Sequence, residues 1–140
     1  IYQLVQTFDL NNNKDEIFDK VLEYLMMTVV DYKSNMKLEN RENGKIILNN
    51  ITQSMNKVMG MVISVDIHYT LKIETKDNKI RLTFNNFVYK DDRHSRPLNN
   101  PQSRTEKKHF LRHLNQSKDN CKQFSKQLID YLKEKKVDEW

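Results

Sequence analysis

The apolar residues of this chain recur with two spacings, and these spacings predict where strands and helices lie. Residues 2–10 alternate between apolar and polar side chains, which indicates a first β-strand that ends at a run of asparagines. Residues 14–30 carry apolar side chains at intervals of three and four, which predicts an amphipathic helix. Asn13 and Glu16 have the spacing of a capping box, so we expect the helix to begin there.

The middle of the chain predicts antiparallel strands joined by short turns. In chain order we expect a strand from residue 36, a turn at 40–44, a strand at 45–52, a loop at 53–60, a strand at 61–75, a turn at 76–79 and a strand from residue 80. Gly44 can supply a positive φ in the first turn. The apolar positions change parity at Asn85 and Asn86, which predicts a β-bulge there.

The last third of the chain combines a polar segment with a helix. Residues 91–117 form a predicted loop or insertion that contains a short helix at 105–114. Residues 119–136 place Cys121, Phe124 and Leu128 on one face, which predicts the second main helix. Residues 1–140 are therefore predicted to form one α+β domain. We expect an antiparallel sheet of about five strands, two main helices packed on one face and the short extra helix.

Three segments carry a family resemblance: Glu42–Ile47, His68–Arg81 and Leu82–Phe87. With the helix start at Lys14–Phe18, they resemble a bacterial family of unknown function, domain of unknown function 4468, over about residues 5–92. The resemblance implies a TBP-like fold, a source in the Bacteroidetes and a secretory or lipoprotein leader. It thus implies a periplasmic, envelope-associated or secreted protein. The family supplies no catalytic residues, and the segment 91–117 departs from its compact pattern.

Composition narrows the functional classes only slightly. The 140 residues suit a single domain, and the formal net charge of +5 favours acidic partners. Lys outnumbers Arg, 18 to 6, and Lys is the poorer residue for bidentate recognition of phosphate. No apolar run approaches the ~20 residues of a membrane-spanning helix. The single cysteine excludes an intrachain disulfide.

A basic segment at residues 93–118 is the best binding candidate in the sequence. Its proposed anion- or partner-binding residues are Arg93, Arg96, Arg104, Lys107, Lys108 and Arg112. Such a cluster suits acidic lipid headgroups, nucleic acid or an acidic protein, and the alternative is an ordinary solvated surface. Phe110 is the only aromatic residue among these cations. Stacking on single-stranded nucleic acid is therefore not favoured.

Metal and catalytic sites are not predicted. His109 and His113 are spaced to share a helix face, but a zinc site needs further ligands, so we interpret both as exposed histidines. Cys121 lies on the apolar face of its helix and is expected to be an inert buried thiol. A catalytic triad is normally assembled from distant segments, unlike the near-adjacent set Asp91, Asp92, His94 and Ser95. We expect neither enzymatic activity nor a cofactor.

The methionines have two interpretations. Met26 falls on the apolar face of the first helix and is expected to fill the core. Met55, Met59 and Met61 are also expected to pack, and the alternative is an exposed cluster that meets a partner.

Three functional hypotheses follow. The first is a non-enzymatic binding or structural module of the bacterial envelope, with a protein partner at the concave side of the sheet or at the groove between sheet and helices. The second is a binder of nucleic acid or an anionic surface through the basic segment. The third is a small-molecule carrier, which requires an apolar pocket between sheet and helix. The sequence leaves the oligomeric state open.

Overall fold

The computed structural model describes residues 2–91 and 95–134. Within these residues the chain forms six strands and three helices, joined by turns and loops. In chain order they are β1 (Leu4–Asp9), α1 (Lys14–Thr28), α2 (Tyr32–Asn35), β2 (Met36–Asn40), β3 (Lys45–Val58), β4 (Met61–Lys76), β5 (Lys79–Lys90), β6 (Ser95–Pro97) and α3 (Arg104–Lys133). No described helix is both long enough and apolar enough to cross a membrane.

The strands form one antiparallel sheet with the order β1-β5-β4-β3-β2. The short β6 pairs with the outer edge of β5 beyond the stretch that β1 occupies. Alternate residues of β4 from Ile67 to Ile73 are buried under α1 and α3, whereas the residues between them are at least partly exposed. Both main helices therefore lie on one face of the sheet, and the predicted fold class is confirmed.

Aromatic rings join the two main helices to the sheet. Phe124 of α3 meets Tyr24 of α1 at a ring-centroid distance of 5.8 Å and Phe84 of β5 at 6.3 Å, both edge to face. Phe84 also contacts Tyr69 of β4. These rings belong to a single cluster of buried apolar side chains, and their removal from water is the main source of stability for such a layer.

Two local predictions are confirmed by the backbone. Asn13 caps α1: its Oδ1 accepts from the Glu16 amide at 2.9 Å, and its Nδ2 donates to the Glu16 carboxylate at 2.9 Å. The register between β4 and β5 shifts at the predicted bulge, where Asn86 has a φ of 54°. The extra residue brings both Phe84 and Phe87 to the buried face.

Strand β3 is longer than predicted. The loop expected at residues 53–60 is instead the end of β3 and a two-residue turn at Met59 and Gly60. The pairing with β4 continues in register to Val58 and Met61, so backbone hydrogen bonds maintain the strand through a sequence rich in polar residues.

Helix α3 is continuous from Arg104 to Lys133, so the prediction of a separate short helix at 105–114 is wrong. Only residues 91–103 of the predicted insertion precede α3, and part of that stretch is β6. The polar stretch that suggested a break contains Ser117, which is fully buried, and Cys121 follows it on the same face. Small side chains occupy the buried face there, where the sequence pattern of large apolar residues is interrupted.

The methionines are more exposed than expected. Met26 is 55% exposed, so the prediction that it fills the core is wrong. Met55, Met59 and Met61 are exposed as well, which contradicts packing and agrees with the alternative of an exposed cluster.

Candidate functional site

A cleft of about 530 Å³ lies between the N-terminal half of α3 and the ends of the strands. Its apolar and aromatic lining comes from Ile63, Val65, Tyr89 and Phe110. Its polar lining includes Asn56, Asp91, Arg96, Glu106, His109 and His113. Such a mixture of an apolar wall with a few polar groups is typical of small-molecule sites.

Three rings form one wall of the cleft. Tyr89 of β5 stacks on Phe110 of α3 with a ring-centroid distance of 6.4 Å and an interplanar angle of 28°. Tyr89 also contacts the His113 ring at 6.0 Å. Burial, helped by the nearby Asp91 carboxylate, raises the pKa of the Tyr89 hydroxyl. Tyr89 therefore stays neutral at physiological pH and donates a hydrogen bond to Asp91 at 3.3 Å.

A chain of hydrogen bonds determines the tautomer of His113. The Met55 amide donates to Gln116 Oε1 at 2.9 Å, which identifies that atom as the side-chain oxygen. Ser54 Oγ donates to the same oxygen at 2.8 Å, so its lone pairs face His113 Nδ1 at 2.7 Å. His113 Nδ1 must then carry the proton. In the neutral ring, Nε2 is left as a hydrogen-bond acceptor.

The direction of these bonds argues against a serine nucleophile. A general base must accept the serine proton, but here the imidazole donates to Ser54 and the serine donates to Gln116. Ser54 is also fully buried. The arrangement instead ties α3 to β3 and holds the His113 ring in place. The expectation that His113 is exposed is wrong, whereas His109 is exposed as predicted.

The pKa of His113 is lowered by burial first, and then by the neighbouring His109 and Arg112 charges. At pH values below about 6.5, the unfolded chain binds a proton that folded His113 resists, so the free energy of unfolding should fall as the pH is lowered from 7.5. We expect a shallower pH dependence in His113→Phe, measured by urea unfolding between pH 7.5 and 5.5.

His68 is the internal comparison for this prediction. The pKa of His68 is also lowered, chiefly by burial. His68→Gln should therefore reduce the pH dependence of the free energy of unfolding by an amount separate from that of His113→Phe. An unchanged slope in His113→Phe would show that the His113 ring takes up its proton as readily in the folded chain as in the unfolded chain.

An ion pair closes one side of the cleft. Arg96 Nη1 donates to Glu106 Oε2 at 3.0 Å, and Nη2 donates to Oε1 of the same carboxylate. The Gln102 amide donates to Oε1 at 2.9 Å, and together with Arg96 it lowers the pKa of Glu106. The Arg96 guanidinium also lies 5.8 Å from the centre of the Phe110 ring. The Arg96 guanidinium is therefore already paired with Glu106 and is not available to bind an anion.

Four of the other predicted anion-binding residues lie in the N-terminal part of α3. Arg112 is exposed and donates to Asn56 at 3.0 Å. Arg104, Lys107 and Lys108 are exposed in the first turns of α3. Arg93 lies outside the described residues. The structure thus separates the paired Arg96 from a set of solvent-facing cations.

The remaining sequence features concern metal binding and catalysis, for which no site was predicted. Within residues 2–91 and 95–134, no group of three or more His, Cys, Asp or Glu side chains is placed to hold a metal ion. Asp92 and His94 lie outside the described residues, and Ser95 is exposed in β6. Cys121 is buried as predicted, and burial raises the pKa of its thiol to about 12, which suppresses the reactive thiolate.

Sequence reasoning missed the aromatic wall and the position of His113. Tyr89 and Phe110 are about twenty residues apart on different elements, so no local motif joins them. One signal was present: Phe110, Leu114 and Cys121 keep helical spacing across the supposed break. Extending that pattern would have placed His113 at the edge of the buried face.

Comparison with known proteins identifies the fold. The family model described as a domain of unknown function (DUF4468) with TBP-like fold matches residues 6–90. A TBP-like protein from Parabacteroides distasonis has a TM-score of 0.73 at 13% identity, over 96% of this chain and 94% of its own. A DUF4468 family protein from Bacteroides ovatus has a TM-score of 0.73 at 6% identity, over 96% and 88%. No curated protein matches.

Proposed function

Because the chain belongs to the DUF4468 family, whose fold is TBP-like and whose function is unknown, we propose that it is a non-enzymatic binding module of the bacterial envelope. Its ligand site is the cleft between α3 and the sheet. The observation that carries this proposal is the aromatic wall beside His113, whose ring is held in one tautomer. The envelope location rests on the resemblance to the DUF4468 family, which implies a secretory or lipoprotein leader.

The cleft favours a small, uncharged and partly aromatic ligand. Its volume of about 530 Å³ falls within the range of ligand sites, roughly 300–1,000 Å³. Tyr89 offers a partly exposed aromatic ring that the buried Phe110 supports from behind, and Arg96 and Glu106 neutralise each other. His113 lines the cleft, and since its Nδ1 is bound to Ser54, its Nε2 is the nitrogen left for a ligand. A hydroxyl or amine on the ligand can donate to that atom.

A matched pair of probes tests this chemistry. We expect 4-propylphenol to bind the protein roughly fivefold more tightly than 4-propylanisole, because only the phenol can donate a hydrogen bond to His113. Titration followed by NMR measures both affinities. In His113→Phe, which keeps a ring of similar shape, the two probes should bind equally.

His109→Gln is the control for the probe experiment. It alters an exposed histidine of the same cleft and should leave the preference for the phenol intact. Thermal unfolding of each variant confirms that it is folded. If neither probe binds the wild-type protein, or if His113→Phe still prefers the phenol, the proposed ligand site is wrong.

A protein partner is the second candidate, and it is favoured by the open face of the sheet. No element within the described residues covers this face, and the apolar side chains of Val5, Leu38 and Ile51 are exposed on it. Cross-linking in the native host followed by fractionation and mass spectrometry tests both partner and location. A pool confined to the cytoplasm would contradict the envelope assignment.

A further inference from the structure

The β3–β4 hairpin extends beyond the rest of the sheet. The β4–β5 pairing ends at Asp66 and Lys90, whereas the β3–β4 pairing continues to the turn after residue 58. Residues 54–65 thus form a two-stranded arm, called here the hairpin arm. Its exposed apolar side chains are Met55, Met59, Met61, Val62 and Ile63. Met55 and Val62 lie on one face of the hairpin arm and Met61 and Ile63 on the other, with Met59 in the turn. Several exposed apolar side chains within one short element mark a candidate interaction surface.

Met59 is an unfavourable residue for the turn of the hairpin arm. Met59 and Gly60 both have positive φ, 52° and 79°, the pattern of a two-residue turn in which Asn-Gly is preferred. A methionine in the left-handed region costs free energy. Its side chain is 100% exposed, so no burial offsets that cost. A residue that opposes local preference without a packing gain points to a role outside the fold.

Cations of α3 lie at the same end of the molecule as the hairpin arm's tip. Successive turns of α3, followed toward its N-terminus, contact successive positions of β3, followed toward its C-terminus. These contacts join Asn120 to Thr52, Gln116 to Met55, and Arg112 to Asn56. One helical turn and two strand residues both span about 6 Å. The preceding turns of α3, with Lys108 and Arg104, therefore continue toward the tip. Both side chains are exposed, as are Lys107 and Lys57.

We propose that the hairpin arm docks the protein onto an anionic lipid membrane. Met59 and its apolar neighbours enter the interfacial region, while Arg104, Lys107 and Lys108 meet lipid phosphates. The net charge of +5 adds a general attraction to an anionic leaflet. The hairpin arm adjoins the ligand cleft and shares Ile63 with it, but Met59, Lys107 and Lys108 do not line the cleft, so variants at these three residues test the docking separately.

The shape and charge of this surface favour a bilayer over other occupants. The hairpin arm projects from the sheet and carries exposed apolar side chains on both of its faces, with the exposed Lys57 beside them, which suits the apolar and anionic layers of a membrane interface. A second copy of the chain would bring identical cations together, which is repulsive. Residues 54–65 contain no aromatic side chain on which nucleic-acid bases could stack.

Vesicle co-sedimentation tests the proposal with the full chain. We expect binding to vesicles of equal parts phosphatidylglycerol and phosphatidylcholine, loss of binding at high salt, and little binding to phosphatidylcholine alone. Met59→Asn supplies the residue that the turn prefers, so it should remain folded with unchanged or higher stability. Its affinity for the anionic vesicles should fall about tenfold. The double variant Lys107→Gln/Lys108→Gln should weaken binding at least as much.

Matched control variants distinguish docking through the hairpin arm from non-specific binding to vesicles. Met26→Gln removes another exposed methionine, on α1, and Lys122→Gln/Lys126→Gln removes two exposed cations from the C-terminal half of α3. Met26→Gln should bind vesicles like the wild-type protein, and Lys122→Gln/Lys126→Gln should lose only the small general attraction due to net charge, much less than Lys107→Gln/Lys108→Gln loses. Equal losses in the control and test variants would overturn the proposal, as would undiminished binding by Met59→Asn. Sedimentation showing a dimer that Met59→Asn dissociates would instead assign the hairpin arm to a second copy.

Discussion

Replacing Gly44 by alanine should lower the free energy of unfolding by about 2–4 kcal/mol. Gly44 has a φ of 64°, and a Cβ built there would lie 2.5 Å from both the carbonyl oxygen and the hydroxyl of Thr75. The Gly44 carbonyl also accepts from the Thr75 amide at 2.7 Å and from its hydroxyl at 3.0 Å. The new methyl group would therefore push the β2–β3 turn away from the end of β4.

Gly60→Ala is the matched control for this prediction. Gly60 has a similar φ of 79°, but a Cβ there meets nothing within 4 Å. Its alanine variant should lose only the backbone contribution, about 1 kcal/mol. Urea unfolding at constant pH measures both variants. Equal losses would show that the close approach of Thr75 contributes nothing and that backbone conformation alone accounts for the effect.

Replacing Ser117 by leucine should lower the free energy of unfolding by about 2–3 kcal/mol. Ser117 is fully buried on the face of α3 that packs against the sheet, and a leucine side chain needs space that the packing does not leave. Among the described residues its Oγ has no hydrogen-bond partner. Ser117→Ala removes that unsatisfied group, so it should be neutral or stabilising by up to about 1 kcal/mol.

Asp119→Leu provides the comparison on the exposed side of the same helix. Asp119 faces solvent two residues beyond Ser117, so its replacement should change the stability by less than about 0.5 kcal/mol. Thermal and urea unfolding of the three variants give the ranking. A stable Ser117→Leu would mean that α3 can move away from the sheet without loss of packing.

Elements with a strong local pattern were predicted correctly from the sequence. Helix α1 and its Asn13 cap depend on side chains three or four positions apart, and these interact within one helix. The bulge at Asn86 follows from a change of parity within a single strand. In both places the deciding interactions are local, so one stretch of sequence contains enough information to predict them.

Elements whose stability depends on distant partners were predicted less well. The end of β3 is polar on its buried side, and it is a strand because β4 pairs with it along its whole length. The continuity of α3 depends on Ser117 and Cys121, small residues that give no apolar signal. Met26 has helical spacing but is exposed, because the sheet and α3 do not cover its side of α1.

By itself, the sequence determined the class of fold, the first helix and the turns near residues 40–44 and 76–79, because periodic burial and backbone conformation are local properties. Only the tertiary structure decided the candidate site. It brings Tyr89, Phe110 and His113 together from β5 and α3, and it pairs Arg96 with Glu106 while it leaves Lys107 and Lys108 exposed. These arrangements depend on how the helices cross the sheet, and side-chain packing between distant segments determines that crossing.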